Sequence, residues 1–293
     1  MSVIATQPVG RAKTQRAMLP RITRLIISYG VLGLFTVIVS LPTIWMVITS
    51  LKKREEYISL PVHILPEVPQ WVNYQMVFII VDYLRFGLNS LIVTLSYTVL
   101  VIITSAMGGF AFARLVAPGK QKLFSIILAL LILPGIVTII PNFVMMARLQ
   151  LTNTYWPWIL WGLGASPFYI FLFRQFFAAI PKDLEDAAEV DGCGLWRIFW
   201  QIFIPNSKPI IATAFIFNFV GQWGDYLTQL MFLNDSNTTL AVKLTTAYVT
   251  PQGQPLIPIT LAACVIFCVP SLVMFFFGQK YIMRGVITSG LKG

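Results

Sequence analysis

The chain has 293 residues, 57% of them hydrophobic and only 11% charged, with a mean hydropathy of +0.78 and a formal net charge of +10. That composition excludes an ordinary soluble domain and suits a chain whose solvent is largely lipid. Three cysteines exclude a disulfide framework, and a lone histidine, His63, excludes a histidine-built metal site.

Uncharged apolar runs of about twenty residues cross a hydrocarbon core of roughly 30 Å as helices. Helices satisfy their own backbone polar groups, which lipid cannot do. The period-two alternation of a membrane barrel is absent. A basic segment, residues 1–24, comes first and carries Arg11, Lys13, Arg16, Arg21 and Arg24. The run that follows is too long for a secretory h-region and ends without a small-residue cleavage site, so it is predicted to be a retained span.

Six spans are predicted: Leu25–Ser50, Leu88–Ala113, Leu123–Met146, Tyr155–Phe173, about Pro209–Leu233 and Leu256–Gly278. The expected fold is therefore an all-α integral membrane protein of six transmembrane helices. It is laid out as a basic tail (1–24), a transmembrane domain (25–280) with a connecting loop at about 178–208, and a tail (281–293). Pro42, Pro134, Pro141, Pro157, Pro167 and Pro270 fall in or near spans and can kink them. Gly108, Gly109, Gly162 and Gly164 allow close helix approach. Cys264 and Cys268, one turn apart in an apolar run, read as packing residues.

Six spans put both termini on one side. Fifteen of the 21 Lys and Arg residues then lie on that side, which the positive-inside rule makes cytoplasmic. The same rule accounts for the net positive charge without invoking nucleic acid. Intramembrane charge normally marks an ion pathway, and only Asp225, near the outer end of the fifth span, offers one beyond the first span. That weighs against a proton-coupled carrier. No G-x-x-x-x-G-K-[ST], H-E-x-x-H or G-x-S-x-G stretch occurs. The chain is expected to be non-catalytic, and any energy it uses must come from a partner.

One stretch departs from the rest. "PKDLEDAAEVDG", Pro181–Gly192, holds five of the eleven carboxylates. Pro181 suits a first helical position, Asp183 and Glu185 suit the positive end of a helix dipole, and Gly192 and Gly194 offer a stop. A short helix with a small face of Leu184, Ala187 and Ala188 is predicted. Its acidity repels it from an anionic inner leaflet. It can be a solvated loop or a peg for a groove on another protein. The aromatic "LWRIFWQIFIP" that follows can lie on the membrane surface or brace the helix from the bundle.

The run "EDAAEVDGCGLWRIFWQIFIPNSKP" resembles the cytoplasmic signature of permease subunits of ABC importers, roughly E-A-A-x-x-x-G followed some nine residues later by I-x-L-P. Ala187, Ala188, Gly192, Ile202 and Pro205 match; Asp186 stands where Glu is usual and Ile204 where Leu is usual. "NSLIVTLSYTVLVIITSAMGGFAFARL", "LPGIVTIIPNFVMMARLQLTNTYWPWIL", "GQWGDYLTQLMFL" and "KYIMRGVITSGLKG" are similar to the six-span permease subunit of maltose-type importers.

The resemblance implies the type I ABC importer permease fold, a bacterial plasma-membrane location, and import of a di- or oligosaccharide. Glycerophosphate-type or polyol solutes, and less so a self-sufficient secondary carrier, stay open. It also implies a second related permease subunit, two ATP-binding subunits, an extracytoplasmic solute-binding protein and membrane lipid as partners. This chain would bind no cofactor, with ATP and Mg held by the partner subunits. Glu185, Asp186, Ala187, Ala188, Asp191, Gly192 and Pro205 would couple to an ATP-binding subunit. The tail residues Ser289, Gly290, Lys292 and Gly293 would approach the ATP-binding dimer. The polar segment 234–255 can reach a binding protein or be a plain connection. Asn218, Gln222, Trp223, Asp225 and Tyr226 are the solute-path candidates, with an interfacial belt as the other reading of Trp223 and Tyr226.

Overall fold

The computed structural model describes residues 21–58, 61 and 63–290. The chain divides by packing into a unit up to Val47 and a larger unit from Ile48 onward. Helix α1, Arg21–Ser50, contributes the whole described part of the first unit and runs through Pro42. Its side chains from Leu25 to Val39 are exposed, as suits a lipid-facing or partner-facing helix.

The larger unit begins with two short helices, α2 (Arg54–Ile58) and α3 (Val72–Ile80), and then the longest buried helix, α4 (Tyr83–Arg114). Next come α5 (Lys120–Leu130) and α6 (Gly135–Arg148), then α7 (Trp156–Leu163) and α8 (Pro167–Ala178). A short acidic helix, α9 (Asp183–Val190), leads into α10 (Leu195–Ile198), a π-helical turn at Phe199–Phe203 and α11 (Ile204–Asn206). The chain finishes with α12 (Lys208–Trp223), α13 (Leu227–Phe232), α14 (Leu240–Thr246) and α15 (Ile257–Gly290). Among the described residues the only β feature is an isolated bridge between Val249 and Pro255.

Four helical stretches are long and apolar enough to span: Leu25–Ser50, Tyr83–Arg114, Trp156–Ala178 and Ile257–Tyr281. Two bent pairs, Lys120–Leu130 with Gly135–Arg148 (97°) and Leu195–Asn206 with Lys208–Trp223 (78°), bring the number to six when each pair is counted as one span. The expected six-span, all-α architecture is present, but three of its spans are broken. Pro134 takes extended backbone just before α6 and has no N–H to carry the third span onward. In the fourth span Ala165 adopts a positive φ of 58°, and Ser166 is extended before Pro167. The sequence predicts a fifth span that runs on past Asp225; instead α12 stops at Trp223 and α13 starts at Leu227.

Helix α4 is the spine. Thr94, Thr98, Val101, Ser105 and Gly109 recur every three or four residues and are all buried, so one face of the helix is inside. Its most extensive pairing is with α8. Small residues make that approach close: a Cβ on Gly109 would stand 2.5 Å from Phe173 Cβ. On α7, a Cβ on Gly162 would stand 2.8 Å from Leu100 Cβ, and Thr104 Oγ1 donates to Gly162 O at 2.9 Å. Such contacts matter because lipid offers no hydrophobic drive for helices to associate, leaving close packing and hydrogen bonds to do it.

Candidate functional site

The acidic stretch forms a helix, but it starts at Asp183 with Lys182 as its N-cap, so Pro181 precedes the helix and does not open it. Its carboxylates Asp183, Glu185 and Asp186 sit in the first turn of α9, where the helix dipole favours them. The end is a Schellman turn: Cys193 N donates to Ala188 O at 2.9 Å and Gly192 N to Glu189 O at 3.0 Å. Gly192 makes that turn at φ 78°, and a Cβ there would meet nothing within 4 Å. The small face of Leu184, Ala187 and Ala188 does not stay together, however. Ala188 and Glu185 are buried, whereas Leu184, Asp186, Ala187 and Asp191 are exposed. The inner face is thus one alanine and one carboxylate, and the outer face keeps Asp186, Ala187, Asp191 and Gly192.

What holds α9 is an aromatic platform. Ile198, Phe199 and Phe203, from the bulky segment after it, are buried with Ala188 against Phe110 of α4 and Phe173 and Phe177 of α8. Phe110 and Phe203 meet at 4.8 Å between centroids, and Phe177 and Phe203 at 5.4 Å, both edge to face. Of the two readings of "LWRIFWQIFIP", the brace is the one seen; Leu195, Trp196 and Trp200 are its large apolar residues that keep exposed faces. Pro205 is exposed at the start of α11, just before the turn into α12. Arg114 ends α4 beneath this platform and pairs with Glu185 at 3.6 Å.

The solute-path candidates separate. Gln222 and Asp225 line a crevice of about 380 Å³ with Tyr97, Asn142, Trp158, Trp161 and Thr228. Asp225 Oδ1 accepts from Thr228 N at 3.1 Å, so the carboxylate caps α13 while facing the crevice. Among the described residues, Asp225 is the only charged one in the lining. Three buried donors there, Trp158 Nε1, Trp161 Nε1 and Gln222 Nε2, have no hydrogen-bond partner. Unpaired buried donors are costly and call for an explanation such as a ligand or water.

Trp223 is not in the crevice. It is 3% exposed, lies stacked between Phe219 (5.8 Å) and Phe267 (5.2 Å), and donates Nε1 to Phe267 O at 3.0 Å. Both ring faces are covered, so it can neither stack on a sugar nor stand in an interfacial belt. Asn218 accepts from Thr98 Oγ1 at 2.8 Å across the α4–α12 packing and is outside the crevice lining as well. Tyr226 is partly exposed beside Asp225 but does not line it. Sequence reasoning missed Tyr97, Asn142, Trp158 and Trp161. The spacing of Trp158 and Trp161, one helical turn apart, was the available signal.

The segment 234–255 is largely folded down. Asn89 Nδ2 donates to Thr238 O, Ser90 Oγ accepts from Leu240 N, and Leu240 through Leu244 are buried in α14. Its exposed parts are short: Asn234–Ser236, the end of α14 at Thr245 and Thr246, Val249, and the turn Pro251–Pro255. Ser289 and Gly290 end α15, while Lys292 and Gly293 lie outside the described residues.

Apolar spans, a polar crevice lined by helices of the larger unit and an acidic helix braced on an aromatic platform fit a multi-pass membrane transport component. The family described as the binding-protein-dependent transport system inner membrane component matches residues 105–287, and the chain belongs to that family. It is 32% identical to the diacetylchitobiose uptake system permease protein of Streptomyces coelicolor, covering 89% of this chain and 86% of that one. It is 33% identical to the lactose transport system permease protein of Rhizobium radiobacter, covering 90% and 95%. In fold it is similar to a chain of a bacterial ABC transporter involved in the import of the acidic polysaccharide alginate, with a TM-score of 0.72, 22% identity, and coverage of 89% of this chain and 98% of that one.

Proposed function

We propose that this chain is the permease subunit of an importer that carries a di- or oligosaccharide across the plasma membrane, driven by ATP hydrolysed on two separate subunits. The observation that carries the reading is the acidic helix α9. It is rigidly braced from within, yet turns Asp186, Ala187, Asp191 and the open Gly192 outward. A purely structural helix would bury both its alanines; this one buries Ala188 alone and keeps a charged ridge with Ala187 and Gly192 free for a groove on an ATP-binding subunit. ATP and Mg belong to those subunits and not to this chain. A second permease subunit completes the path, and an extracytoplasmic binding protein delivers the solute. Both termini are cytoplasmic in this reading, which the distribution of Lys and Arg supports.

The crevice supports a carbohydrate over a glycerophosphate. Its lining offers a carboxylate, indole and amide donors and aromatic surface, and no Lys or Arg to neutralise a phosphate. Relatives that carry diacetylchitobiose and lactose by name agree with a saccharide cargo. Closure of the ATP-bound subunits would pull on α9, and the aromatic platform would pass that motion to α4, α8 and α12.

Gentle purification of the chain from membranes tests the proposal. The expected result is co-purification of ATP-binding subunits and a second permease, with a binding protein whose bound solute is a saccharide. Transport by the chain reconstituted alone would refute it.

A further inference from the structure

Arg114 ends α4, and its side chain reaches three other segments. Its guanidinium Nη1 stands 3.6 Å from Glu185 Oε2 on α9. Nη2 donates to Phe177 O on α8 at 2.8 Å and to Ile180 O, in the short link between α8 and α9. The guanidinium carbon lies 5.1 Å from the centre of the Phe203 ring, in the segment that leads to α12. Both charged side chains are shielded, at 11% and 9% exposure. A planar group with five donors can serve carbonyls, a carboxylate and a ring at once; a lysine ammonium cannot.

We propose that Arg114 and Glu185 are positioning residues that bind the acidic helix to the ends of α4 and α8, so that a pull on α9 moves those helices as one piece. The proposal rests on the reading of α9 as the docking helix, and it reassigns Glu185. Sequence reasoning puts Glu185 with Asp186 on the docking face. In the structure it turns inward, and neither its Oε2 nor Arg114 Nε has a hydrogen-bond partner. The pair is therefore held by charge in a poorly hydrated place, where removing one partner strands the other. Without the link, α9 would still present Asp186 and Gly192 to the partner, but much of its displacement would be taken up by rotation of α9 on the aromatic platform before it reached the spans.

The test uses the complete transporter in liposomes with its binding protein. Glu185→Gln, Glu185→Asp and Asp186→Asn are compared for co-purification of ATP-binding subunits, ATP hydrolysis and solute carried per ATP. Glu185→Gln is expected to retain its ATP-binding subunits and to carry at least about fivefold less solute per ATP, with Glu185→Asp between it and wild type. A general loss of stability would lower transport and hydrolysis together and leave their ratio unchanged. If Glu185→Gln fails to accumulate, Glu185→Asp carries the test by the same ratio. A wild-type ratio in the variants that assemble overturns the proposal. So does loss of the ATP-binding subunits by Glu185→Gln in a complex that stays otherwise intact, because Glu185 would then be a direct contact. Should Asp186→Asn and a Gly192→Arg variant both leave binding and coupling untouched, the docking reading of α9 itself fails, whatever Glu185 does.

Discussion

Gly109 is the place where one methyl group should matter most. An alanine Cβ there would stand 2.5 Å from Phe173 Cβ and 2.9 Å from Arg174 N, against 3.4–4 Å for ordinary contact. Arg174 N is backbone and cannot swing aside, so α4 and α8 must part by roughly 1 Å. A gap of that size forfeits up to about half of each dispersion contact along the interface, and overpacking of this kind costs about 3 kcal/mol. Alanine recovers about 1 kcal/mol over glycine from helix propensity, leaving a net loss of about 2 kcal/mol. Gly108 is the internal control. Its nearest neighbour would be Ile170 Cγ1 at 3.3 Å, a side-chain atom that need give only a few tenths of an ångström where Gly109 meets backbone, so Gly108→Ala should be near neutral. The assay is the midpoint of heat-induced loss of the folded peak in detergent, followed by size exclusion. Equal midpoints for Gly109→Ala and Gly108→Ala would refute the close-approach argument.

Three further outcomes are expected. Gly192→Arg should cost only about 1–2 kcal/mol for the left-handed backbone and abolish retention of ATP-binding subunits, whereas Ala188→Arg should fail to accumulate because it buries a charge; immunoblots of membranes and pull-downs separate the two. Trp223→Ala should destabilise the protein by about 3–5 kcal/mol with no selective effect on solute, while Gln222→Ala should fold normally and raise the solute concentration needed for half-maximal transport. Asn73 Nδ2 bridges Ser50 O at 2.8 Å and Lys52 O at 3.0 Å, so Asn73→Ala should lower stability by about 1–3 kcal/mol through the two carbonyls left without it, read again as a thermal midpoint.

Much of the architecture was legible in the chain. Span existence follows from run length against bilayer thickness, a one-dimensional quantity: four predicted spans are found as long apolar helical stretches, the third is a bent pair, and the fifth is built from Leu195–Trp223 instead of running on to Leu233. The helical breaks were half legible. Pro134 and Pro167 marked two of them, but a proline in a span can kink or end a helix, and only the neighbours decide which. The third break, after Trp223, has no proline at all; Asp225 makes it by turning its carboxylate onto Thr228 N.

The site was less legible than the fold. Asp186, Ala187, Asp191 and Gly192 face outward as a docking ridge needs, and Gln222 and Asp225 line the crevice. Glu185 and Trp223 went the other way for the same reason. A polar or aromatic residue announces its chemistry in sequence, but not which direction its helix turns it. Glu185 lies one position from Asp186, about 100° around the helix, and that rotation carries it from the exposed side of α9 to Arg114.

By itself, then, the amino-acid sequence determined that this protein is a helical membrane component, which helix is too acidic to lie on the bilayer, and where charge is concentrated. These are properties of composition and local pattern, set by what lipid and helix geometry tolerate. The tertiary structure alone decided which of those residues are free to act. Arg114 became a link between four segments only because α8 and the turn at Phe199–Phe203 close over the end of α4. The crevice exists only because α6, α7 and α13 meet there, bringing Asn142, Trp158 and Thr228 beside Asp225 from distant parts of the chain.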